Sequence, residues 1–225
     1  MTPHRYGYLG PAGTFCQMAL DAWPAAEDAE DAEHVPCESV VAALAALRSG
    51  ELDAAMVPIE NSVEGGVSAT LDALSVGSDV GIIGEVLVPV TLVLAVRPGT
   101  RLEDVKAVGT HPHGWAQVRT WMNANLPSAV YLTTLSTAAA AADLDPTAGD
   151  VAAYQAAVCA AGAARIHALD VLAEDIGDNG RAVTRFALVA RPGQTPGPTG
   201  ADKTTLVLYQ RDDHPGGLLE LLEQF

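Results

Sequence analysis

Short runs rich in β-branched and aromatic residues alternate with alanine- and leucine-rich stretches along most of this chain, and that alternation restricts the fold more than any other feature. Residues 6–9, 54–57, 80–83, 89–96, 105–108, 130–132, 151–154, 171–172 and 183–190 read as strands. Residues 15–23, 40–47, 115–122, 137–142 and 155–164 read as helices. Thr14, Ser39 and Ser136 stand where an N-cap oxygen would take up a free backbone N–H, and Ser49-Gly50 closes the second helix. Strands alternating with helices imply parallel sheets covered by helices. The polar break at Gly84 and Glu85, between two apolar runs, suggests a crossover into a second sheet.

Composition narrows the setting. Of 225 residues, 49% are hydrophobic and only 18% charged, which is the balance of a globular core rather than a disordered chain. The net charge of −16 repels polyanions, so nucleic acid and anionic membrane are excluded as partners. A small anionic substrate would meet the same field, and its site must carry a local positive potential. Cys16, Cys37 and Cys159 form no CxxC pair, and an odd count is a poor disulfide framework, so a reducing compartment is expected. The N-terminal residues lack a signal-peptide layout, and the apolar stretch 81–96 is too short and interrupted to span a bilayer. A soluble, cytoplasmic protein is the expectation.

Residues 191–202, rich in Pro and Gly, read as a linker. Beyond it, 204–209 reads as a strand and 217–225 as an incipient helix. One strand and one helix cannot bury a core of their own, so residues 203–225 are expected to be part of a second domain or to need a partner.

Four polar clusters sit at strand ends or helix starts. The apolar run 54–57 passes through Pro58-Ile59 into Glu60, Asn61 and Ser62, followed by Gly65-Gly66. In open α/β sheets ligands sit beyond the carboxyl ends of strands, where such groups would be placed; a solvated turn accounts for the same residues. Gly10-Pro11-Ala12-Gly13-Thr14-Phe15 offers close backbone approach and free N–H groups at a helix start, without dinucleotide or P-loop spacing. Thr110, His111, His113 and Gln117 mark a third junction; with no cysteine or HExxH nearby, capping or packing explains the histidines better than a metal site. The fourth runs from Asp178-Asn179 to Val183-Thr184-Arg185-Phe186, where Arg185 is one of few cations.

Taken together, Gly10-Pro11-Ala12-Gly13-Thr14-Phe15, Pro58-Ile59-Glu60-Asn61-Ser62, His111-Pro112 with Gln117, Ser136-Thr137-Ala138-Ala139 and Thr184-Arg185-Phe186 resemble the prephenate dehydratase family over residues 5–190. The resemblance implies a periplasmic-binding-protein (type 2) like fold: two α/β subdomains with a cleft between them, one of about 1–85 plus 178–190, the other about 86–177. It implies that 203–225 begins an α+β, ferredoxin-like ACT domain, whose effector would be L-phenylalanine. Asp213-His214-Pro215-Gly216-Gly217-Leu218 is similar to that domain's effector loop. The implied activity is loss of CO2 and water from prephenate to give phenylpyruvate, with no cofactor and no metal, in a homo-oligomer.

By the same resemblance Thr184 is the proton donor, and Glu60, Asn61, Gln117 and Thr110 are the other catalytic groups. Arg185, Phe186, Thr14, Ser62 and Ser136 are expected to bind substrate. Thr110 stands where serine is usual, Leu135 where some members carry glutamate, and His113-Gly114-Trp115 replaces a glutamine-containing text. The reaction needs no general base, because the breaking C–C bond supplies the electrons; the leaving hydroxyl needs a proton. A threonine hydroxyl is a weak acid and donates late, so positive charge develops on the ring, which Glu60 would offset. The pyruvyl carboxylate should be gripped by Arg185 or by helix-start N–H groups near Thr14 or Ser136, and the ring carboxylate held loosely. Arogenate dehydratase and a non-catalytic binding module of the same fold are the alternatives.

Overall fold

A computed structural model describes residues 4–23, 32–76, 80–149, 152–194, 197–210 and 212–225. The chain divides into two compact units, Met1–Thr195 and Pro196–Phe225. The first unit holds two mixed sheets. One has the order β2 (Glu33–Cys37), β1 (Arg5–Leu9), β3 (Ala54–Asn61), β11 (Val183–Ala190), β5 (Gly81–Pro89), with the short β4 (Gly65–Gly66) beside β3. The other runs β10 (Asp170–Ala173), β6 (Val93–Val96), β9 (Ala156–Cys159), β7 (Ala107–Thr110), β8 (Val130–Thr133).

The parallel sheets expected from the alternation are parallel only in part. β1 runs parallel to β2 and β3, and β7 to β8 and β9. β11 is antiparallel to both β3 and β5, and β6 antiparallel to β9 and β10. The cause is the path of the chain, which leaves the first sheet after β5, builds the second, and returns to insert β11 between β3 and β5. The outgoing and returning segments are tied by Val90 N–H to the Ala182 carbonyl (2.8 Å) and Ile176 N–H to that of Leu92 (3.0 Å).

Local signals set the helices. In α1 (Phe15–Asp21) the Thr14 hydroxyl accepts from Gln17 N–H, in α2 (Val40–Ser49) Ser39 caps Ala42 N–H, and in the later helix 137–142 Ser136 caps Ala139 N–H. Gly50, at φ +84°, ends α2 in a left-handed conformation that costs glycine little. Helix α3 (Ser68–Ser75) follows β4. In the second sheet's layer lie α4 (Pro112–Ala116), α5 (Arg119–Asn125), α6 (Thr137–Ala142) and α7 (Ala161–Ile166). The core consists of apolar clusters on both faces of each sheet. On the first sheet, Leu20, Met56, Phe186 and Leu188 pack on one face, and Leu44, Val57, Ala187 and Val189 on the other. Phe15 packs against clusters of both sheets.

Several elements differ from expectation. Gly84 and Glu85 do not break β5, because a Cβ at Gly84 would run into the Trp23 ring and glycine makes the room that the indole fills. The crossing therefore falls beyond Pro89. No strand forms over 152–154 (Val151 lies outside the described residues), and the helix expected at 155–164 is strand β9 in its first part and helix α7 in its last. Ala156 and Ala157 are fully buried between β6 and β7, and tertiary pairing overrides alanine's helical preference. The helix expected at 115–122 is two short ones, and the strand at 105–108 begins at Ala107.

In the second unit, residues 204–209 do not form the expected strand. That unit forms one helix among its described residues, α8 (Gly217–Leu222), entered through Gly216 at φ +94°. No helix among the described residues is long and apolar enough to cross a membrane.

Candidate active site

The end of β3 and the start of β11 bring Asn61 and Thr184 together, and a one-residue irregularity decides how. Along β11, Phe186, Leu188 and Ala190 pack on one face and Ala187 and Val189 on the other, so alternation gives Thr184 to the first face and Arg185 to the second. Along β3, Ala54 and Met56 share the Thr184 face. Regular continuation would place Glu60 there too. Instead the register shifts: Phe186 stands opposite Pro58, but Arg185 stands opposite Glu60 and Thr184 opposite Asn61. Ile59 is the extra residue of a bulge, and one extra residue reverses the phase of everything beyond it.

The side chains follow that phase. Asn61 Nδ2 donates to Thr184 Oγ1 at 2.9 Å. Asn61 Oδ1 accepts from Val63 N–H (2.8 Å) and Glu64 N–H (3.3 Å), which fixes the amide with its NH2 toward Thr184. Thr184 Oγ1 is thus an acceptor toward Asn61, and its own O–H remains available to donate elsewhere. Thr184 is only 8% exposed, so little water competes for that proton. Ser62 ties the two segments: its N–H donates to the Val183 carbonyl and its hydroxyl accepts from Val183 N–H, both at 2.9 Å.

On the opposite face, Arg185 Nε meets Glu85 at 2.5 Å and Nη1 meets Glu60 at 3.2 Å. Hydrogen bonding to Glu85 is the largest cause that holds the guanidinium's pKa above its ordinary value. The structure does not place Glu60 beside Thr184, where the strand pattern of the sequence would have set it. Glu85 was missed in the sequence reading, and its signal was a carboxylate inside an apolar run.

The remaining expected residues have structural partners. Thr110 is fully buried, and its hydroxyl donates to the Val158 carbonyl at 2.8 Å, joining β7 to β9. A Cβ on Gly114 would lie 2.7 Å from that hydroxyl, so α4 sits directly on Thr110. Phe186 is buried in the core. The Thr14 hydroxyl donates to the Leu9 carbonyl as well as capping α1. Ser136 caps α6. Gln117 closes α4, and its carbonyl accepts from Asp178 N–H at 2.6 Å just ahead of β11. Asp178 in turn accepts from Thr120 and Trp121 N–H groups at the start of α5, a cap formed across 58 residues of sequence that spacing alone does not reveal. His111 Nδ1 accepts from His113 N–H, and His113 pairs with Glu64 at 2.7 Å. Among the described residues no cluster of three or more metal-ligating side chains occurs.

The sequence matches a known family along most of the chain. Residues 6–194 match the family model described as prephenate dehydratase. The chain belongs to the prephenate dehydratase family. A prephenate dehydratase of Mycolicibacterium vanbaalenii is 43% identical over 227 residues, which cover 96% of this chain and 71% of that protein. The crystal structure of prephenate dehydratase from Arthrobacter aurescens, in complex with L-Phe, is 55% identical with a TM-score of 0.89, covering 98% of this chain and 71% of that one. The prephenate dehydratase of Staphylococcus aureus, at 22% identity and a TM-score of 0.70 over 98% of this chain and 79% of that one, shares the fold. The two-layer architecture described above is therefore that of the prephenate dehydratase family, and Asn61 and Thr184 lie in its matched region.

Proposed function

We propose that this chain is a lyase that converts prephenate to phenylpyruvate, CO2 and water, with Thr184 as proton donor and Asn61 as the group that aims it. The observation carrying this reading is the Asn61–Thr184 hydrogen bond, which occupies a lone pair of the hydroxyl and leaves its proton free. As the ring carboxylate departs as CO2, the electrons of the C–C bond enter the ring, and the C4 hydroxyl leaves with the proton of Thr184, which solvent then restores. The neutral pair suits this sequence. A cation there would bind the ring carboxylate tightly in the ground state and oppose its loss.

Glu60 is assigned to holding Arg185 rather than to balancing ring charge, because the bulge puts the two on the other face. By the same geometry Arg185 faces away from Thr184 and is assigned to its cluster with Glu60 and Glu85, so the pyruvyl carboxylate is left to the helix-start N–H groups near Thr14 or Ser136. Prephenate is favoured over arogenate because an ammonium would want a carboxylate, and Glu60 and Glu85 are both engaged with Arg185. Phenylalanine is proposed as effector, on the ground that the Arthrobacter aurescens relative is solved in complex with L-Phe and that 203–225 resembles the start of an ACT domain. A homo-oligomer in the cytoplasm completes the reading; the three free cysteines suit that compartment.

Incubation with prephenate and with arogenate, following phenylpyruvate and phenylalanine, tests it. Turnover of prephenate is expected, and turnover of neither would favour a binding module. Thr184→Ala should lose about 10²–10⁴-fold in kcat, whereas Thr184→Ser should keep most of it.

A further inference from the structure

The turn that follows β3 reaches the other layer of the molecule. Glu64 lies between β3 and β4 of the first sheet, and its Oε2 meets Nδ1 of His113 at 2.7 Å. His113 belongs to α4, which follows β7 of the second sheet. The pair therefore joins the two subdomains. It also joins the proton donor to the far side, because the Glu64 N–H is held by Asn61 Oδ1, whose amide holds Thr184. Ser62 and Val183 are hydrogen-bonded to each other, so the turn and the start of β11 form one body.

The neighbouring imidazole sharpens the pairing. The His111 and His113 rings meet edge to face at 4.8 Å, and His111 Nδ1 accepts the His113 N–H. His111 is thereby neutral with its proton on Nε2. Burial lowers its pKa, and His113 lowers it further against the opposing effect of Glu64. The imidazole facing Glu64 is thus that of His113.

We infer that Glu64 and His113 form a latch across the cleft, a pair of positioning residues that holds the Asn61–Thr184 unit against the second subdomain when the cleft is closed. This rests on the reading of Thr184 and Asn61 as the reactive unit. Neither residue touches the reacting atoms; they act through the turn. Both side chains are partly exposed, and exposed ion pairs are weak. The latch is therefore poised to open and close rather than to lock.

The test combines hydrogen exchange with kinetics on the full chain. In Glu64→Gln and in His113→Gln, amide exchange should quicken about two- to fivefold in both 63–66 and 112–116, in each variant alike. The double variant should be no faster than either single one. The exchanged pair, Glu64→His with His113→Glu, should return exchange toward the original rate. KM for prephenate should rise two- to fivefold in the single variants, with kcat changed less. Acceleration confined to the mutated segment, or single effects that multiply in the double variant, would overturn the latch. Exchange is read without substrate, so the latch can stand or fall even if the chain turns over no prephenate, which would instead defeat the proposed activity.

Discussion

At the scale of single residues, the polarity of one amide carries the proposed chemistry. Asn61 Oδ1 is occupied by two backbone N–H groups, so its nitrogen has no choice but to face Thr184. Asn61→Asp keeps the backbone contacts and replaces the donor with an acceptor. The carboxylate would then take the Thr184 proton into its own hydrogen bond. We expect kcat to fall about 10²-fold in steady-state assays, with thermal stability little changed, since loss of a general acid costs about 10²–10⁴-fold. Asn61 and Thr184 were legible in the sequence because each stands in a compact motif. Glu60's place was not. Strand alternation points it at Thr184, and the bulge at Ile59 that turns it away has no signature in composition or spacing.

At the scale of elements, legibility follows the range of the interaction. The caps by Thr14, Ser39 and Ser136 reach only to the N–H three residues on, and all were readable. The first part of the expected helix, 156–159, was misread because β9 is a strand through its neighbours on both sides, which local pattern does not contain. Asp145 shows how such distant elements are joined. After α6 it accepts from Thr147 N–H and Oγ1 at 2.8 and 2.6 Å, and it meets His167 Nδ1, beyond α7, at 2.9 Å. Hydrogen bonds from Thr147, then from His167, pull its pKa down to about 2. An aspartate in an unfolded chain titrates near ~3.9. The folded form thus binds its proton more weakly, and the stability it confers is present above about pH 4 and lost as pH falls through about 2. Thermal melts of the protein and of Asp145→Asn should differ most at pH 5, and the difference should narrow between about pH 4 and about pH 2.

At the scale of the whole molecule, the two layers and their cleft are complete within the first unit. The core clusters on both sheets end at Ala190. Arg191 closes the unit: its guanidinium donates to the Leu47 and Leu52 carbonyls and meets Asp53, binding the end of β11 to the edge of α2. Every residue assigned to the reaction or to the latch precedes it. Residues 197–225 belong to the separate second unit, whose one helix among the described residues leaves Leu218, Leu219 and Leu222 exposed. A chain ending at Thr195 should therefore fold, melt within about 2–4 °C of the longer one, a difference worth roughly 1 kcal/mol at this size, and keep its kcat for prephenate. Any response of activity to phenylalanine that the longer chain shows should disappear in the shorter one. Differential scanning calorimetry and initial rates with and without phenylalanine measure both halves of that expectation. A shortened chain that melted far lower would mean that the core clusters borrow stability from beyond Arg191.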